Sequence, residues 1–97
     1  MEKYVGCVSH ENGHIAKLRV YHAKEWTTKT RKDVVFEIDK DGIVYYTLYE
    51  NPKTGKHEAG PQIHVVWVNR IAYLRTDKNE SAADNLGSLP DLEHCPF

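Results

Sequence analysis

The sequence predicts an α+β fold: a small, strongly bent antiparallel sheet of about five strands, barrel-like in its curvature, with one short helix after the second strand. Three observations carry this expectation. Two alternating apolar runs flank Asn12-Gly13, three further β-rich runs lie between Ile43 and Thr76, and Lys29 to Gly42 holds helix-start and helix-stop residues between them. At 97 residues and 11.2 kDa the chain has room for one domain, 1–97, burying roughly 60 to 65 per cent of its unfolded surface.

The first unit is KYVGCVSHENGHIAKLRVYH. Asn and Gly both tolerate positive φ, so Asn12-Gly13 predicts a two-residue type I′ hairpin turn. Glu11 should then pair with His14, Ser9 with Ala16 and Cys7 with Leu18. One face would carry Val5, Cys7, Ala16, Leu18 and Val20 toward the core.

KTRKDVVFEIDKDG, Lys29 to Gly42, supports two readings. Thr30 with Asp33 three residues on is a variant capping box, Val34, Val35 and Ile38 share a helical face, and Gly42 is a terminator. Against this, Val34, Phe36 and Ile38 alternate, and Asp41-Gly42 could turn a hairpin into the next strand. IVYYTLYE is strand-like, with six of eight residues β-branched or aromatic. NPKTGKHEAGP reads as a loop, QIHVVWV as a strand apolar on both faces, and IAYLRT as a last strand after a turn at Asn69-Arg70.

Composition narrows function by exclusion. A net charge of −1 lacks the basic excess of a dedicated nucleic-acid binder. Six basic residues (Lys17, Arg19, Lys24, Lys29, Arg31, Lys32) nevertheless cluster between 17 and 32 against Glu25 alone. No apolar run approaches the roughly 20 residues that cross a bilayer, and MEKYVGCVSHENG lacks the apolar stretch of a secretory signal. Both point to the cytoplasm without membrane contact, where Cys7 and Cys95 are expected as reduced thiols.

Neither metal pattern is persuasive. Cys7, His10 and His14 have zinc-like spacing, but the expected register puts His10 on the face opposite Cys7. Asp77, Asn79, Ser81 and Asp84 space their oxygens like a calcium loop, yet Ala82 stands where that loop needs glycine and Ser88 where it needs a bidentate acid. No cofactor is expected. Nor is catalysis: Cys7 and Cys95 have no evident base, Ser9 and His10 diverge on a strand, and there is no phosphate loop.

The segment YLRTDKNESAADNLGSLP, Tyr73 to Pro90, reads best as a structural latch: Asp84 or Asn85 caps a turn, Arg75 pairs with a tail acid, and Leu86 and Leu89 plug the core. The order of YVGCV, TRKDVVFEI, YYT and then Tyr73-Leu74-Arg75-Thr76, Asp84-Asn85-Leu86 and Leu89-Pro90 resembles the bacterial and phage family of domain of unknown function thirty-eight ninety-two. The resemblance spans nearly the whole chain, with its specific part in the last twenty or so residues. It implies that residues 30–40 are helical, and it assigns no activity; the extra DLEHCPF and the long NPKTGKHEAG loop depart from the family's pattern.

The expected function is therefore a small non-enzymatic binding or interaction module, with Tyr73, Arg75, Trp26, Lys24, Arg31 and Lys32 as candidate binding residues. Aromatic residues beyond what one small core can hide favour a protein partner or a homodimer. The alternative is nucleic acid on the basic cluster with Trp26 as a stacking surface. A further alternative, a small signalling molecule or a host defence protein, follows only from the family's phage and bacterial setting.

Overall fold

The structure is a computed structural model that describes residues 1–77, 82–87 and 89–97. Strands β1 (Glu2–Glu11), β2 (His14–His22) and β3 (Glu25–Thr30) lead into helix α1 (Arg31–Asp39). Strands β4 (Val44–Glu50), β5 (His57–Val68) and β6 (Ile71–Arg75) follow, and Leu92–His94 forms a single 3₁₀ turn. The six strands make one sheet in the order β3-β2-β1-β4-β5-β6.

Three two-residue turns set the antiparallel neighbours. Asn12-Gly13 closes β1 to β2 with φ of 53° and 80°, Ala23-Lys24 closes β2 to β3 with 53° and 64°, and Asn69-Arg70 closes β5 to β6 with 51° and 68°. All three pairs put both central residues in the left-handed region, the twist that matches hairpin strands.

The residues of 31–39 form the helix, not a strand. Thr30 caps it, its hydroxyl accepting from the Asp33 amide at 3.2 Å, and Val34 is fully buried on its inner face. The helix ends through Lys40 N–H donating to Phe36 O at 2.8 Å, with Gly42 at φ +66°. Because a helix carries the chain across one face of the sheet, β4 can arrive parallel to β1, pairing Glu2 with Val44 through Val5 with Thr47.

The expectation of a wholly antiparallel sheet of about five strands is thus corrected: β3 is a sixth strand, the helix follows the third strand, and the β1–β4 pair is parallel. The barrel-like reading is also corrected. β5 is long enough to pair with β4 through its first half and with β6 through its second, which bends the sheet but leaves it open, with β3 and β6 at its ends.

The first hairpin keeps the expected Glu11–His14 pair but slips twice, between Val5 and Cys7 and between Ser9 and His10. Gly6 and Ala16 are the extra residues. Val5 and Val8 therefore both join the core, as do Ile15 and Leu18, while Cys7 pairs with Arg19 and Ala16 drops out. The core so built comprises Val5, Val8, Ile15, Leu18, Val20, Val34, Tyr45, Ile63, Leu74 and Leu86. Among the described residues no helix is long and apolar enough to cross a membrane.

Candidate functional site

Three places bring functional side chains together: a carboxylate under the tail, a carboxylate under the helix, and an aromatic groove.

The tail returns along the free edge of β6, where Asn85 N–H donates to Leu74 O at 2.8 Å and Thr76 N–H to Asn85 O at 2.9 Å. This places the Asp84 carboxylate, only 2% exposed, between three elements. Its Oδ1 accepts from the Leu74 amide at 2.9 Å and the Arg31 guanidinium at 2.8 Å, and its Oδ2 accepts from the Ile15 amide, beside the bulge, at 2.9 Å. Leu86 is buried, Leu89 packs partly buried against the core, and Val8 N–H donates to Pro90 O at 3.1 Å.

Arg75 is buried and held by the Asp77 carboxylate at 2.7 and 3.1 Å and by Ala83 O at 2.8 Å. The hydrogen bond to Asp77 raises its affinity for its proton further, against the opposing pull of burial. Tyr73 is also buried, with the Arg31 guanidinium 5.5 Å from its ring centre. Of the expected binding residues, Tyr73 and Arg75 are buried in the fold, and Arg31, partly exposed, is engaged with Asp84 and the Tyr73 ring. Lys24, in the β2–β3 turn, and Lys32, on α1, are exposed and do not line the groove described below.

Under the helix, Glu37 accepts from Lys3 and, at 2.8 Å, from Lys29, and takes the Tyr45 hydroxyl at 3.1 Å. Burial pushes its carboxyl up, but the two ammonium groups outweigh that and hold it below the usual range. Burial, and then the Glu37 charge, push the Tyr45 phenol well above its ordinary value. Sequence reasoning passed over Glu37; the available signal was a lone acid within the apolar helical face of Val34, Val35 and Ile38.

On the sheet face away from α1, Tyr4, Tyr21, Trp26, Leu48, His57 and Phe97 line an open groove of about 430 Å³. Tyr4, Tyr21 and Trp26 come together because the pairs Tyr4–Tyr21 and Tyr21–Trp26 stand side by side across β1, β2 and β3. Trp26 is the one expected binding residue found here. Phe97 stacks on it, centroids 4.1 Å apart and planes 9° from parallel, and Tyr21 packs against it at 5.0 Å with a tilt of 48°. Gly6 permits this approach, since a Cβ there would sit 2.6 Å from the Phe97 ring and 3.0 Å from Trp26.

Phe97 is held over the sheet by a disulfide between Cys7 and Cys95, whose Cα atoms lie 5.9 Å apart. The expectation of two reduced thiols is corrected: the bulge at Gly6 shifts Cys7 to pair with Arg19, and its sulfur, fully buried, is bonded to that of Cys95 in the returning tail. The zinc reading loses its cysteine to this bond, and His10 and His14 are exposed. In the calcium reading Asn79, Ser81 and Ser88 lie outside the described residues, and Asp84 is engaged with Ile15, Arg31 and Leu74. Among the described residues no group of three His, Cys, Asp or Glu side chains is placed to hold a metal.

Compared with family models, curated proteins and solved structures, the chain matches none.

Proposed function

We propose that this protein is a non-enzymatic binding module and that its ligand enters the aromatic groove. The observation that supports this is the gathering of Tyr4, Tyr21, Trp26 and Phe97 around an open volume of about 430 Å³, within the range of small-molecule sites. Aromatic walls left open to solvent give a ligand apolar area and shaped contact with little side-chain entropy lost. Of the buried groups with shifted protonation, Glu37 and Tyr45 are locked to each other and to two lysines, and Arg75 is held by Asp77, arrangements suited to fastening α1 and the tail to the sheet.

A titration with anilinonaphthalene sulfonate, a dye that brightens in apolar clefts, tests the reading. The wild type and Trp67→Ala, which changes an exposed indole on β5, should enhance the dye equally. Trp26→Ala should lose the enhancement; equal dye binding by all three proteins would remove the groove as the site.

The nucleic-acid alternative draws on Lys17 and Arg19, which alternate with Tyr21 along β2. It is weakened by Lys29 and Arg31, two of the six clustered cations, being spent on Glu37 and Asp84. Low-salt titration with single-stranded oligonucleotide separates the two readings, since phosphate binding falls steeply with salt. Exposed Tyr49, Trp67 and Ile71 support a homodimer or protein partner, to be read from mass against concentration.

The resemblance to domain of unknown function thirty-eight ninety-two belongs to this proposal too, as does the location. The Cys7–Cys95 disulfide is of the kind that oxidising compartments preserve, which weighs against the cytoplasmic expectation.

A further inference from the structure

Phe97 differs from the other residues of the groove: it comes from the returning tail, while the rest belong to strands. Its ring rests on Gly6, where a Cβ would come within 2.6 Å of it. Trp26 stacks on that ring, and the His57 ring meets it at 64° with centroids 4.6 Å apart. A neighbouring hollow of about 220 Å³ shares Leu48, His57 and Phe97 with the groove. Phe97 therefore divides one longer trough in two. Among the described residues neither Pro96 nor Phe97 hydrogen-bonds to the sheet, so beyond the 3₁₀ turn the ring contacts and the Cys7–Cys95 bond hold Phe97 down.

An indole face above a glycine floor selects a flat ring. A ring held there by a tether competes with any free ring at an effective concentration on the order of millimolar. We propose that Phe97 is the chain's own occupant of a slot for an unfused aromatic ring, and that reduction of Cys7–Cys95 by a dithiol opens the slot to such a ring on a small solute. The inference rests on the groove being the binding site. Exchange begins at Cys95, which is half-exposed, because Cys7 is fully buried. A thiolate of the reductant bonds to the Cys95 sulfur, and the Cys7 sulfur leaves with the electron pair and takes up a proton. The reductant's second thiol gives up its proton and displaces Cys95, which leaves as a thiolate and is protonated in turn. Two electrons and two protons thus pass to the protein, and the reductant departs as a disulfide. Leu86 in the core and the Val8 amide on Pro90 O retain the tail up to that point, so only the segment after Pro90 is released.

The test is titration with N-acetylphenylalanine amide, followed by nuclear magnetic resonance at the Trp26 indole N–H, with the exposed Trp67 as internal reference. Phe97→Ala, in which the disulfide stays closed, should bind this probe about tenfold more tightly than the oxidised wild type, and the reduced wild type about threefold more tightly. N-acetylleucine amide should gain much less from either change. Weaker probe binding by Phe97→Ala would make Phe97 a wall and overturn the proposal, and equal gains for the leucine probe would overturn the ring. A reduced protein that stays folded and binds no better than the oxidised one would overturn the release. So would loss of dispersed amide signals on reduction, since the released segment must leave the core intact. Dye enhancement that depends on Trp26, with no probe bound by any of the three proteins, would overturn the slot and leave the groove; dye enhancement that ignores Trp26 would remove the groove itself.

Discussion

The Asp84 carboxylate serves as acceptor for two backbone amides, of Ile15 and Leu74, and for the Arg31 guanidinium, joining β2, β6 and α1. Replacing it with alanine strips two amides of their acceptor and leaves the Arg31 guanidinium with the Ala72 carbonyl but no counter-charge, a change of the kind that costs about 3 to 5 kcal/mol. Asp84→Ala should therefore lower the melting temperature by roughly 12 °C or more, and Asp84→Asn by less; calorimetry of the two variants checks the order. Glu37 makes a prediction in pH. Its carboxyl titrates below the unfolded value, so its contribution is fully present above the unfolded value of about 4.3 and is lost as pH falls through the folded one. Denaturant midpoints of the wild type should fall between about pH 5 and pH 3 more steeply than those of Glu37→Gln, which begins less stable; parallel curves would deny the carboxylate this role.

At the scale of elements, what could be read in the chain tracks how local the determining interaction is. The first hairpin was legible because Asn12-Gly13 advertises its turn, and the helix because Thr30 and Asp33 advertise its start. β3 was not legible: Ala23-Lys24 adopts the same left-handed pair as Asn12-Gly13 without a residue that favours it, so tertiary pairing of Trp26 with Tyr21 overrides the local preference. The bulges at Gly6 and Ala16 were equally hidden, since each only shifts which side of a strand faces inward. The latch residues were legible as a group because Asp, Asn and Leu in a turn have few other uses. Leu86 and Leu89 now separate: Leu86→Ala should cost about 2 to 5 kcal/mol, and Leu89→Ala, at a half-covered position, clearly less. Chemical denaturation of the pair tests this, and an equal loss at both sites would contradict the burial difference.

For the whole molecule, the disulfide and the groove are the features that the sequence concealed, and for one reason. Cys7 and Cys95 are 88 residues apart, and the groove draws single residues from β1, β2, β3, β4, β5 and the tail, so no window of sequence contains either. A loop of that length removes about 4 to 5 kcal/mol of chain entropy from the unfolded state. Cys95→Ser, or a dithiol reductant on the wild type, should lower the unfolding midpoint accordingly and steepen the denaturant slope, because the unfolded chain without the cross-link exposes more surface; a midpoint that ignores the reductant would show that the bond contributes nothing.

The Asp84 contact also fixes when the protein can finish maturing on the ribosome. Ile15 waits for a carboxylate 69 positions downstream, and Cys7 for a partner 88 positions downstream. At translation rates of about 5 to 20 residues per second, the nascent first hairpin spends roughly 4 to 18 seconds without its final partners. That interval gives a chaperone or a thiol-oxidising enzyme time to act on it before the structure shuts.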